Sequence, residues 1–247
     1  VRRHRVLVGT AAVCVVAIVA GLGAALYGLA EAQRERNIAR AQARAGIAAL
    51  NVFRGALEVV DPRDPKPTMG MREVFEALDD HVRSNPINPQ AEGIIRALLG
   101  QGMLAVGNGE RARHHLHVAR QRLAESPIAE PTDRLVVAIS LAWAEVVTDR
   151  YDRAEELVNE VIDSIDESMA QDADVLRELA RAHSIRSITL ASRDPGGAIR
   201  EAETALRLAR RSTGEHSAEY ATELQALSLA LIRARRDLPR ALECARE

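Results

Sequence analysis

His114, His115 and His117 are the densest group of potential metal ligands in the chain, and the first and third, three residues apart, would share one helix face. Zinc would need further ligands, and neither paired cysteines nor a placed carboxylate motif accompanies these imidazoles. A solvated helix face is the reading that pattern supports. Glu155, Glu156, Asp163, Asp166 and Glu167 form an acidic flank that surface solvation explains, and the carboxylates between Met169 and Asp174 have no convergent acid or base partner. No nucleophile elbow, phosphate-binding glycine loop or phosphoryl-transfer signature occurs. The two cysteines, Cys14 and Cys244, lie near opposite ends and define neither a disulfide framework nor a metal pair. No catalytic residue, metal or cofactor is expected within these residues.

The elements that position these side chains are helices. Alanine, leucine, arginine and glutamate dominate, aromatics are only 2%, and no alternating strand pattern of useful length occurs. With a net charge of −2 there is no basic field to recruit nucleic acid.

From Val6 to Leu29 run 24 residues without a charge, flanked by Arg2, Arg3 and Arg5 before and Glu31, Arg34, Glu35 and Arg36 after. About 20 apolar residues cross a bilayer as a helix, so 6–29 is expected to be a single transmembrane span after a cytoplasmic flank at 1–5. A cleaved signal peptide is the rival, but its apolar core is shorter. The arginine balance slightly favours a cytoplasmic N-terminus with the rest of the chain across the membrane. The lipid bilayer is then one partner. Ala17 and Gly21 leave room for a homodimer through the membrane helix, although an Ala/Gly-rich span meets that spacing by chance.

Ile47, Leu50, Phe53, Leu57 and Val60 recur at three- and four-residue steps, which predicts a helical juxtamembrane stalk over 30–60. Pro62, Pro65 and Pro67 break it, making 61–70 a proline-rich linker and domain boundary. Beyond Gly70 helices are expected at Met71 to Ser84, Ala91 to Val106, Glu110 to Glu125, Thr132 to Thr148 and Asp152 to Ser168. Others follow at Asp172 to Ser192, Gly197 to Ser212, Ala218 to Arg235 and from Pro239 onward. The fold class is all-α.

The second helices align with one another, beginning at Gly107, Asp149, Arg193 and Arg235. Each places a small residue at Ala112, Ala154, Ala198 and Ala241, separated by 42, 44 and 43 residues. At these positions, and at Leu99-Gly100, Tyr151 and the Ser212 to Ser217 linker, the sequence resembles the tetratricopeptide repeat in its longer form of about 42 residues. The resemblance implies an α-solenoid over 71–247, of about four helical hairpins with the last truncated. Such hairpins bury their apolar stripes by stacking and present first helices on a concave, polypeptide-binding surface. In that register Ile94, Gln101, Ile139, Trp143, His183, Ser187 and Glu223 face the groove. Gln101, Trp143, His183 and Ser187 are the candidate contacts, with core packing as the alternative role of the indole. The Lys, Asn and Arg set with which some family members clamp chaperone tails is absent.

Val52-Phe53, Asp61-Pro62 and Met71-Arg72-Glu73-Val74-Phe75-Glu76-Ala77-Leu78 are similar to the stretch that follows the membrane helix in bacterial serine/threonine protein kinases with tetratricopeptide tails. That similarity implies a kinase catalytic domain before Val1 and a sensor role for the repeats. It departs at Gly70, where the family's threonine cap is missing. A free-standing membrane-anchored scaffold for envelope complexes is the alternative.

Overall fold

In this computed structural model the described residues are 71–84, 88–234 and 237–246. The chain divides into two compact units, Val1–Ile47 and Ala48–Glu247, and every described residue belongs to the second. Among the described residues there are nine α-helices: α1 (Met71–Ser84), α2 (Pro89–Ala105), α3 (Gly109–Glu125), α4 (Pro131–Val147), α5 (Tyr151–Ser164), α6 (Ala173–Leu190), α7 (Pro195–Thr213), α8 (Ala218–Arg233) and α9 (Leu238–Arg246).

The helix starts follow from local chemistry. Asn88, Asn108, Asp172, Asp194 and Ser217 each accept a first-turn backbone N–H through the side chain, and Pro89, Pro131 and Pro195 occupy the first turn, where no N–H is needed. The turns inside three of the pairs reverse through a residue with positive φ: Gly107 at 76°, Asp149 at 59° and Asp237 at 44°. Most expected bounds fall within two residues of the observed ones, and the largest miss is at the end of α5. The helix read through Ser168 stops at Ser164, because Asp166 Oδ1 accepts from the Ser168 and Met169 N–H groups at 2.9 Å each and turns the chain into a short 3-10 segment, Met169–Gln171.

Consecutive helices pack as antiparallel pairs, α2 with α3, α4 with α5, α6 with α7 and α8 with α9, while α1 lies on α2. Ala112, Ala154, Ala198 and Ala241 are all at most 2% exposed, so the alanine beat marks the places where second helices seat. One apolar core runs without a break from Phe75 and Leu78 on α1 to Ile185 on α6, and a second joins α7, α8 and α9 through Ala202, Leu227, Leu231 and Ala241. The first helices also pack in succession, α2 with α4, α4 with α6 and α6 with α8, whereas the backbones of the second helices α3, α5 and α7 stand farther apart, with Arg120 on α3 reaching Glu160 on α5 only through their long side chains. A stack whose first helices are closer together than its second helices curves toward the first, and that side is concave.

The expectation of a membrane-anchored chain is corrected here. Among the described residues no helix is long and apolar enough to cross a membrane. The longest, α7, has 19 residues but carries Arg200, Glu201, Glu203, Arg207, Arg210 and Arg211 along its length. A single-pass protein of the bacterial inner membrane, N-terminus in the cytoplasm and repeats outside, is therefore not supported. The segments read as flank, span, stalk and linker, 1–5, 6–29, 30–60 and 61–70, lie outside the described residues. The bilayer and the membrane-helix dimer depended on that span and are carried no further.

Candidate functional site

The concave side is built by α2, α4, α6 and α8. Gln101 Nε2 on α2 donates to Ser140 Oγ on α4 at 3.1 Å, and Ser184 on α6 donates to the buried carboxylate of Glu223 on α8. These cross-links hold successive first helices in register. Trp143, less than one turn beyond Ser140, is 38% exposed although its neighbours Ala142 and Ala144 are fully buried, so the helix packs on both flanks of the indole and leaves its face in solvent. Leu98 on α2, 42% exposed, is a second apolar side chain left open on a first helix. Arg177 and Arg181 on α6 carry the polar part of that side, each tied to Glu178 or Asp174.

The remaining candidates sit differently. Ile139 is fully buried in the core, Ser187 is 3% exposed and Glu223 is enclosed between first helices, so these three are closed to a ligand. Ser187 is two turns after the buried Ala180 and shares its packed face. His183 is partly exposed, but its Nδ1 lies 2.6 Å from Glu201 Oε2 on α7, within its own pair. Burial pushes the Glu223 carboxyl above the usual range, and the Ser184 hydroxyl and nearby Arg181 only partly offset this. Among the described residues no group of three or more His, Cys, Asp or Glu is arranged to hold a metal ion.

A buried ionic cluster under α1 escaped sequence reasoning. Arg96 on α2 bonds Asp79 on α1 and lies 3.2 Å from His115 Nδ1 on α3; the Glu92 carboxylate forms an ion pair with Arg122, 2.8 Å from its Nε, on the same side. His115 is thus in the core while His114 and His117 are exposed. The cluster is enclosed and joins three helices, which is a positioning role. Desolvation holds the His115 imidazole down to about 4, with Arg96, His114 and Arg83 acting in the same direction and Asp79 against it.

A folded-state pKa below the unfolded value means that the unfolded chain takes up this proton first. The stability from neutral His115 is complete above about pH 6.5 and is lost as pH falls toward 4. Urea midpoints should therefore show a loss of about 2 kcal/mol between about pH 7.5 and pH 5. A His115→Asn chain should lack most of that loss. An equal loss in both chains would place the pH dependence elsewhere.

The fold and its concave side define an all-helical, repeat-like protein. No family model and no curated protein matches the chain. Among solved structures it is similar to the one titled "Crystal structure of BtubC (BKLC) from P. vanneervenii", with a TM-score of 0.52 and 18% identity over 85% of this chain and 88% of that one. At that identity the likeness concerns the fold alone.

Proposed function

We propose that this chain is a tetratricopeptide-like protein-interaction module that holds an extended polypeptide against its first helices and performs no chemistry of its own. The observation that carries the reading is Trp143, a large side chain left open on the concave side of a packed helix. Interfaces concentrate their binding energy in such aromatic anchors, and a row of successive first helices suits an extended ligand. The similarity of residues 52–53, 61–62 and 71–78 to the stretch preceding kinase tetratricopeptide tails supports a further part of the proposal, that the module belongs to a bacterial serine/threonine kinase. Coding sequence upstream of Val1 carrying the kinase lysine, His-Arg-Asp and Asp-Phe-Gly motifs is the expected finding. An in-frame stop there would leave a free-standing scaffold.

The groove reading is tested with peptides selected from a random display library against the immobilised full chain. Trp143→Ala should weaken their binding at least about tenfold, the effect of losing one aromatic anchor. Unchanged circular dichroism of the variant shows that the comparison is between folded chains, because the indole, 38% exposed, is also partly packed and its loss lowers stability. Selected peptides that bind the variant as tightly as the parent would remove the groove from consideration.

A further inference from the structure

α8 packs on α9 through Ser228, which donates to the Ala241 carbonyl at 2.8 Å, and on α6 through Glu223. A third row along the same helix, Ala218, Thr222, Gln225, Leu229 and Ile232, is exposed over its whole length, with Leu229 at 42% and Ile232 at 51%. Ser228 seats on the Ala241 carbonyl as Gly100 lies against that of Ala112, so Ala218, Gln225 and Ile232 hold the places of Gln90, Ala97 and Leu104 on α2. On α2 those places are closed. Gln90 reaches the Ile128 carbonyl just before α4, Ala97 packs with Val137 of α4, and Leu104 lies against the core. The row on α8 is therefore the surface on which one pair stacks upon the next, left open. The other end of the stack differs, since α1 covers α2 there and turns Asp80 and Arg83 to solvent.

The order of side chains within the row selects what covers it. Successive members are four, three, four and three residues apart, the spacing of a coiled-coil seam. They grow from small, Ala218 and Thr222, to large, Leu229 and Ile232, with Gln225 at the centre. Against a parallel copy of the same row large side chains would meet large. Against an antiparallel copy Ala218 meets Ile232, Thr222 meets Leu229, and Gln225 meets its own counterpart on a two-fold axis. Volumes are then complementary, and a primary amide, which carries both donors and an acceptor, can pair with its copy. The charges agree with this placement. Glu219 in the first turn and Arg233 in the last flank the row on one side, and neither has an ion-pair partner among the described residues. The antiparallel copy sets each opposite the other's charge.

We propose that the open face of α8 is an interface between two copies of this chain, packed antiparallel across a two-fold axis at Gln225. Each copy supplies one helix row, so the interface is small and the dimer forms in a concentration-dependent way. It is independent of the groove reading, because its readout is the mass of the chain and not the binding of a peptide.

The test is sedimentation equilibrium of the full chain over a concentration series. The parent should pass from monomer to dimer as concentration rises. Gln225→Glu, which sets two carboxylates against each other at the axis, should weaken the dimer at least about tenfold. Glu219→Arg and Arg233→Glu should each weaken it at least about fivefold, and the two together should return it to within about twofold of the parent, since reversed charges again face opposite ones. The two positions are about 21 Å apart along one helix, so that recovery can come only from contact between copies. All three side chains are exposed, and unchanged circular dichroism shows that folded chains are being compared. A chain that stays monomeric throughout would leave the row to a different polypeptide and overturn the interface. Association that none of these variants alters, or a double variant no better than the single ones, would overturn it as well.

Discussion

Gly100→Ala should destabilise the chain by about 2 kcal/mol, read as a lower urea midpoint with an unchanged slope. On an exposed helix face the same substitution would stabilise, by up to about 1 kcal/mol, because alanine is the better helix former. The sign reverses here because of what lies opposite. A Cβ on Gly100 would run into the Leu116 side chain of α3 and stand 3.2 Å from the Ala112 carbonyl. Leu116 is fully buried, and the backbone of α3 cannot yield without disturbing the α2–α3 pair. Leu116→Ala leaves a cavity and should cost about 3 kcal/mol on its own. The double variant should cost less than the two together, since the new methyl occupies part of the space that the leucine vacates. Additive losses would mean that α2 and α3 do not approach through this glycine.

Arg96→Met should cost about 3 kcal/mol, for a different reason. The guanidinium is buried, and it satisfies Asp79, which is itself 13% exposed. Removing one member of a buried pair leaves the other charged and unsolvated, which is costlier than replacing both. Asp79→Leu in the same chain should therefore recover much of the loss. Because Asp79 belongs to α1, the single variant should also loosen α1 from the stack, with faster hydrogen exchange over Met71–Ser84 than over α6 and α7. Uniform acceleration along the chain would show instead that α1 unfolds only with everything else.

These two residues also show what sequence can and cannot disclose. The helical pairs were legible because their punctuation is local: Asn108 after Gly107, Pro131, Asp194-Pro195 and Ser217 act within a few residues of where they stand. The alanine beat was legible because stacking imposes one small side chain per pair, and the four alanines are indeed buried. The Asp79–Arg96–His115 cluster was not, since three polar residues on three helices resemble solvated surface until the helices are brought together. The end of α5 was missed because Asp166 caps the turn after it, and an aspartate inside an apolar pattern gives no such warning. Groove residues were the least legible. Trp143 and Ser187 come from the same spacing argument, yet one is open and the other buried, so the 42 to 44-residue beat of the second helices does not by itself fix which side chains of the first helices face out.

Trp143 is the only tryptophan of the chain, so its emission reports on the concave side and nothing else. The most direct measurement is the acrylamide quenching of that emission in the full chain, before and after saturation with a display-selected peptide. In the free chain the indole should be readily quenched, as its exposure requires. Saturation with peptide should shift the emission to the blue and protect the indole from acrylamide, with the same dissociation constant as binding. A peptide that saturates the chain while leaving Trp143 as open to acrylamide as before would contradict the claim that the first helices form the polypeptide-binding surface.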